Sequence, residues 1–225
     1  MKIVTKNIKV KMILALIVLT IMIISLYKLN HQHNVLTVLR GLYGGVQLRT
    51  ISEKMGLVLF IVLLQSLNVD FILYCLNNTD YLSIRFDSKE SVVRYLYKKI
   101  LYLNFMFVCL SGISALFVSY LSNSSFVGID FIEIIEIILR GFLTCLIISN
   151  LQIYFLIITT EANTFFLLII LTIVLSFSSH NIYIFSILPK PLRGIDLFLN
   201  LLVCIALLVL FSIYTKTAFI KKELY

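Results

Sequence analysis

Polar side chains inside apolar stretches are the first candidates for chemistry in this chain of 225 residues. Asp70 is the most conspicuous, because it follows Gln65 and Asn68 within the segment LLQSLNVDFILYCL. A carboxylate in such surroundings needs a partner or water, and otherwise it stays protonated. Hydrogen bonding between helices is one interpretation of these residues, and lining a substrate path is the other. The full set of candidates is Gln65, Asn68, Asp70, Asn104, Asn150 and Gln152.

Acidic residues before a later apolar stretch raise an enzymatic alternative. Glu133, Glu136 and Arg140 precede it, and Glu136 can pair with Arg140 across one helical turn. Intramembrane proteases of the glutamate type resemble EExxxR with a later FxxxH. This chain instead has ExxExxxR and places Phe177 only three residues before His180. The spacing argues against the enzyme, and we assign no catalytic residue.

Metal and nucleotide sites have equally little support in the sequence. His31 and His33 form an HxH pair without a third ligand nearby, so we predict no metal site. Gly41, Gly44 and Gly45 lie close together, but a phosphate-binding loop needs GxxxxGK[ST], which occurs nowhere in the chain. We interpret these glycines as turn positions between short interfacial segments. No bound cofactor is therefore expected.

The composition determines where these side chains must lie. A mean hydropathy of +1.04 with 13% charged residues is typical of integral membrane proteins. The net charge of +8 comes mostly from cations beside apolar runs, where they anchor a chain at the membrane surface. We therefore expect lipid contacts and no nucleic-acid partner.

Six apolar runs approach the length of about 20 helical residues that crosses a bilayer. They lack the alternation of apolar and polar residues that marks strands of a membrane barrel. The sequence predicts an all-α membrane protein whose single domain, residues 1–225, has six transmembrane helices. The predicted spans are 12–27, 57–76, 100–121, 141–159, 165–185 and 197–215.

The distribution of basic residues predicts the orientation. The segment MKIVTKNIKVKM is interpreted as an amphipathic N-terminal lead at the inner surface, followed by an uncleaved span. With both termini cytoplasmic, 12 of the 19 basic residues lie in inner segments and the other seven in outer ones. This asymmetry favours an orientation with both ends inside.

The polar stretch after the second span has a helical pattern. Asp87 and Glu90 fit a capping box, so a helix is expected to begin near Ser88. No helix breaker separates it from the span that starts at Ile100, which predicts one long helix. Residues 77–99 would then form a cytoplasmic loop.

Two interpretations of this loop remain open. It is either a solvated segment that marks the membrane boundary or a docking surface for a cytoplasmic partner. The second interpretation relies on aromatic side chains expected to be exposed among the charges. They are Tyr81, Phe86, Tyr95 and Tyr97.

A resemblance to a known family is found in the same loop. Ile84, Arg85, Phe86 and Ser88, with six spans and a basic N-terminal lead, resemble permease subunits of type-2 ATP-binding-cassette exporters. The stretch is similar to small Firmicute permeases of bacteriocin or antimicrobial-peptide export and immunity, whose loop commonly has the pattern iRf.sr..w.

The chain departs from that pattern at two places. Lys89 and Glu90 stand where a basic residue is usual, and Val93 or Tyr95 stands where tryptophan is expected. The topological resemblance covers the whole chain, whereas the motif covers fewer than about 20 residues.

The resemblance implies a multi-pass subunit of the bacterial cytoplasmic membrane that exports a peptide or another amphipathic or lipid-like substrate. A separate ATPase subunit would bind the ATP, and a second permease copy or a paralogue would complete the pore. The resemblance also implies a coupling helix formed by Arg85, Phe86, Asp87, Ser88, Lys89, Glu90 and Arg94. The alternative is a non-transporting immunity or scaffold protein, or an intramembrane enzyme.

Small residues recur on the third span at intervals of four. Ser111, Ala115 and Ser119 form a stripe that lets another helix approach closely. We predict a role in helix packing, either within the chain or between subunits.

Overall fold

The computed structural model describes residues 2–29, 35–43, 51–121, 131–177 and 195–221, and these ranges contain helices and short connections without any strand. The all-α prediction is confirmed for them. The helices are α1 (Lys2–Leu29), α2 (Val35–Tyr43), α3 (Ile51–Asn77), α4 (Thr79–Arg85), α5 (Lys89–Leu121), α6 (Phe131–Ile158), α7 (Glu161–Phe177) and α8 (Ile195–Lys221).

Within the described residues, three helices are long and apolar enough to cross a membrane. They correspond to Lys54–Asn77 in α3, Lys89–Leu121 in α5 and Ile134–Ile158 in α6. Shorter apolar segments lie at Val10–Ser25 in α1 and Glu161–Val174 in α7. The chain therefore has the helices of a membrane protein. Each predicted span overlaps one long helix, although the part of the fifth span beyond Phe177 lies outside the described residues.

The outward faces of the helices are apolar. On α1, the side chains of Ile13, Ile17 and Ile21 are 59, 52 and 60% exposed and lie four residues apart on one face. On α8, Val209 and Ile213 are likewise exposed. Such surfaces would promote aggregation in water, whereas lipid tails cover them without cost. The exposed faces therefore agree with a bilayer environment.

The core consists of two apolar clusters that follow each other along α3. Tyr43, Phe60 and Phe107 lie in the first cluster, with the ring centroids of Phe60 and Phe107 5.0 Å apart. Ile72 and Leu96 lie in the second cluster. α1, α3, α5 and α6 contribute to both clusters, and α3, α5 and α6 are the central helices because each supplies at least two buried residues to both.

Helix α2 corrects the prediction of an interfacial loop with glycine turns. Leu39, Leu42 and Tyr43 are at most 1% exposed, and α2 contacts α1, α3, α5 and α6. Gly41 lies within this helix, so its assignment to a turn was wrong, while Gly44 and Gly45 lie outside the described residues. The physical reason is an apolar stripe at helical spacing, which makes α2 bury itself in the bundle.

Candidate functional site

A buried polar cluster joins the three central helices. The Asn68 side chain on α3 donates to Asn104 Oδ1 on α5 and to Ser149 Oγ on α6, both at 3.0 Å. The Asn104 amide donates to the same Ser149 Oγ at 2.8 Å, and Ser149 donates to the Cys145 carbonyl at 2.8 Å. Ser149 therefore receives two hydrogen bonds and gives one, which uses the full capacity of a hydroxyl.

Two glutamines extend this cluster along the α3–α6 contact. Gln152 Nε2 donates to the backbone carbonyl of Gln65 at 3.0 Å, and both side chains are at most 1% exposed. Both polar atoms of the Gln65 side chain, together with Asn68 Oδ1 and Gln152 Oε1, are buried without a hydrogen-bond partner in the described part of the chain. Buried polar groups are normally paired, so packing alone does not account for these four atoms.

Asp70 lies outside the cluster and has the partner that a carboxylate in apolar surroundings requires. Its Oδ2 is 2.7 Å from the ammonium of Lys11 on α1. The two side chains are 31% and 40% exposed, so the pair is only partly shielded from its surroundings. Sequence reasoning found Asp70 but missed Lys11, because nothing in a linear sequence shows which helix faces the carboxylate.

Asn150 is also separate from the cluster. Its amide nitrogen donates to the Leu146 carbonyl of its own helix at 3.0 Å, and the side chain is 5% exposed. The six polar candidates thus fall into three groups. Gln65, Asn68, Asn104 and Gln152 lie together, whereas Asp70 pairs with α1 and Asn150 faces a different contact.

The small-residue stripe on α5 packs inside the chain. Ser111, Ala115 and Ser119 are fully buried. The Tyr43 hydroxyl donates to the Val108 carbonyl at 2.8 Å and lies 2.7 Å from Ser111 Oγ. The stripe is thus covered by other parts of the same chain, and its role in helix packing stays a prediction.

Tyr43 also fills the space that two glycines leave. A Cβ on Gly141 of α6 would lie 2.7 Å from a ring carbon of Tyr43, and a Cβ on Gly112 of α5 would lie 3.3 Å from its hydroxyl. The sequence did not predict this contact between α2, α5 and α6. The glycines lie in helical segments, where turn signals give no indication of a close approach.

The residues predicted to form one coupling helix, Arg85 to Arg94, do not do so, because residues 86–88 form a turn between two helices. The short helix α4 precedes this turn and shares only Arg85 with the predicted region. α4 is fixed to the bundle on one face, where Thr79 and Leu82 are buried. On the other face, the side chains of Tyr81 and Ile84 are 64% and 81% exposed. Arg85 ends the helix and is exposed beside them. α4 therefore presents a small apolar surface next to charge.

The start of α5 confirms one prediction and corrects another. A helix was expected near Ser88 and continues without interruption from Lys89 to Leu121. Asp87 was expected to cap it, but Asp87 has a φ of 65°, whereas a capping residue has extended backbone. Ser88 is the cap, because its Oγ accepts from the amide of Ser91 at 3.1 Å. Lys89, Glu90 and Arg94 lie in the first turns of α5.

The expected exposure of the aromatic side chains was wrong for three of the four. Tyr81 is exposed, but Phe86, Tyr95 and Tyr97 are partly buried. Phe86 stacks on Tyr95 with ring centroids 5.0 Å apart, and Tyr95 lies 5.8 Å from Phe71 on α3. These rings pack together because the connection after α4 folds back onto the bundle. Arg85, Asp87 and Ser88 remain exposed around the connection.

The residues of the alternative enzyme are only partly described. Glu136 is half-buried on α6, but the side chains of Glu133 and Arg140, and all of His31, His33 and His180, lie outside the described part of the chain. Within that part, no group of three His, Cys, Asp or Glu side chains is close enough to hold a metal ion.

The arrangement combines an uncharged polar centre between long apolar helices with an exposed short helix at one end. A scan against protein-family models and searches of curated proteins and of solved structures found no match to the chain.

Proposed function

We propose that the chain is the permease subunit of an ATP-binding-cassette exporter in a bacterial cytoplasmic membrane. In this proposal it crosses the membrane six times with both termini inside, and it pairs with a second copy or a paralogue. A separate ATPase subunit supplies the energy, and the substrate is a peptide or another amphipathic or lipid-like molecule. The exposed face of α4 is the observation that supports this function most.

α4 has the features of a docking element. Tyr81 and Ile84 expose apolar surface beyond the buried contacts of Thr79 and Leu82, and Arg85 adds a charge at the edge. Interfaces are centred on aromatic and apolar anchors, with arginine also enriched. Because α4 lies between two helices that are long and apolar enough to cross a membrane, a subunit bound to α4 would be linked through it to both α3 and α5.

The connection after α4 can transmit a push into the bundle. Phe86 stacks on Tyr95 of α5, and Tyr95 contacts Phe71 of α3. α5 is one helix of 33 residues, a length of about 50 Å. A displacement of α4 would therefore move α5 as a unit, which is the kind of helix shift that switches proteins between states.

The buried polar cluster lies where such a movement would act. Asn104 joins α5 to Asn68 and Ser149, so a shift of α5 changes the contacts of both neighbouring helices. The unpaired atoms of Gln65 and Gln152 are available to a substrate once these helices separate. Uncharged amides can both donate and accept hydrogen bonds, which suits the backbone of a peptide.

The test uses two matched double variants of the tagged full-length chain. Tyr81→Ser with Ile84→Ser removes the exposed apolar surface of α4. The control, Tyr120→Ser with Leu121→Ser, removes side chains that are 70% and 64% exposed at the opposite end of α5. Each is purified from membranes of its native host, and the co-purifying ATPase is quantified by mass spectrometry.

We expect an ATP-binding-cassette ATPase with the wild type and the control, and at least a tenfold reduction with the α4 variant. Equal recovery with both variants excludes α4 as the docking element. A wild-type chain that recovers no such ATPase contradicts the permease and favours a non-transporting immunity or scaffold protein.

A further inference from the structure

A lateral groove of about 560 Å³ lies between α5, α6 and α8, away from the polar cluster. Its walls are mostly apolar and include Leu101, Leu146 and Leu208, one from each helix. Arg94 and Lys98 lie on its α5 side. Its volume is within the range of about 300–1,000 Å³ that is usual for small-molecule sites.

The two cations lie at one end of the groove. Glu90 of α5 lies 3.5 Å from Lys216 of α8, whereas further along α5 Leu101 and Leu208 line the same groove, so the two helices run antiparallel. Arg94 and Lys98 are therefore near the end marked by this ion pair. Lys98 comes two residues before the apolar run that begins at Ile100. A lysine there places its ammonium at the boundary between hydrocarbon and headgroups.

The charge of Arg94 and Lys98 is not neutralised by the described part of the chain. No carboxylate in those ranges lies within ion-pair distance of either side chain, and the nearby Glu90 is paired with Lys216. Both side chains are exposed, so they can approach a ligand. The groove thus combines two free positive charges at one end with apolar walls beyond them.

Asn150 also lines the groove without offering it a polar contact through its side-chain oxygen. Its side chain is 5% exposed, and its Oδ1 is buried. A ligand in the groove therefore meets mostly apolar walls beyond the two cations.

We infer that the groove binds an anionic phospholipid, with the phosphate against Arg94 and Lys98 and an acyl chain along the apolar walls. Basic pockets between transmembrane helices recognise anionic headgroups in this way. The site opens sideways toward the lipid, where a phospholipid is the most abundant amphipathic molecule. The inference requires only that the helices lie in a membrane, so it does not depend on transport.

The experiment measures lipids retained by the purified full-length chain. The protein in detergent is mixed with equal amounts of dioleoyl phosphatidylglycerol and dioleoyl phosphatidylcholine, and bound lipids are counted by native mass spectrometry. One variant carries Arg94→Gln and Lys98→Gln. Its control carries Lys89→Gln and Lys99→Gln, which remove two cations of α5 that do not line the groove.

A second pair of variants tests the apolar part. Leu208→Trp fills the groove, whereas Leu210→Trp adds the same bulk on α8 at a position that does not line it. Each variant is first compared with the wild type by size-exclusion profile and melting temperature, and only folded variants are scored.

We expect the wild type to retain phosphatidylglycerol at least fivefold over phosphatidylcholine. Arg94→Gln with Lys98→Gln should abolish the preference, Leu208→Trp should reduce retention of either lipid, and both controls should match the wild type. Equal retention of the two lipids by the wild type overturns the inference. So does an equal loss in the Lys89 and Lys99 control, which would indicate general surface charge.

Discussion

At the scale of single residues, the polar core depends on one hydroxyl that accepts from two amides. Ser149 accepts hydrogen bonds from Asn68 and Asn104. Both asparagines were candidates from the sequence, but nothing in the sequence pointed to Ser149. Serines are common in apolar helices, where they often bond to their own backbone. The amides were predictable because they are costly in a membrane, whereas their partners depend on how the helices are rotated.

Asn104→Ala tests the cluster directly. The substitution removes the acceptor for Asn68 and the donor to Ser149, so we expect the free energy of unfolding to fall by about 1–2 kcal/mol. The measurement is unfolding in mixed micelles with increasing denaturing detergent. Ser114→Ala is the control, because within the described part of the chain Ser114 bonds only to the Leu110 carbonyl of its own helix, and its effect should be much smaller. Equal effects would show that the cluster contributes nothing specific.

Gly141→Ala tests the close approach of Tyr43. The new Cβ would meet ring carbons of Tyr43 at 2.7 and 2.8 Å, and this ring is buried and cannot move aside. We expect overpacking to cost about 1–3 kcal/mol, which exceeds the gain of about 1 kcal/mol from replacing a helical glycine. Gly112→Ala meets the Tyr43 hydroxyl only at 3.3 Å and should be milder. A melting temperature for Gly141→Ala at or above that of Gly112→Ala would refute this packing.

At the scale of elements, local pattern predicted the helices well where a single physical signal dominates. The predicted second and third spans lie within α3 and α5, because a helix pairs every backbone N–H and C=O of a long apolar run within lipid. The start of α5 was found to within one residue, although the capping residue was Ser88 instead of Asp87. α2 was not found, because nine residues are too few to stand out from a loop until their neighbours are known.

The ion pair between Lys11 and Asp70 joins α1 to α3, and a charge exchange tests it. In the native chain the Lys11 ammonium and the Asp70 carboxylate are 2.7 Å apart, and Lys11→Asp alone replaces this attraction with two carboxylates facing each other. We expect the free energy of unfolding to fall by at least about 1 kcal/mol, since unit charges 4 Å apart interact by about that much even in water. Asp70→Lys alone should have a similar effect.

Combining Lys11→Asp with Asp70→Lys restores opposite charges at the same position. Most of the loss should therefore be recovered, as measured by the same detergent titration. If the losses of the two single variants simply add in the double variant, the two side chains do not interact in the membrane.

At the scale of the whole molecule, the apolar outer faces and the polar interior follow from composition and hydropathy. Exposed Ile13, Ile17 and Ile21 on α1 have counterparts on α8, whereas the amides turn inward. The class of protein was therefore predictable from the sequence. The exposure of Tyr81 was also predicted, but the separate helix α4 that carries it was not, because its end depends on how the connection from Phe86 to Ser88 folds back onto α5.

The proposed orientation places α4 in the cytoplasm and the far end of α5 outside. The most direct measurement is labelling of single cysteines in intact cells with a membrane-impermeant maleimide, in a chain whose four native cysteines are replaced. Ile84→Cys reports on α4, and Tyr120→Cys reports on the end of α5 that is distant from α4.

We predict that Tyr120→Cys is labelled in intact cells, and that Ile84→Cys is labelled only in inverted vesicles, more weakly when the ATPase subunit is bound than after it has been removed. Labelling of Ile84→Cys from outside intact cells would contradict the account, since α4 could not then contact a cytoplasmic ATPase.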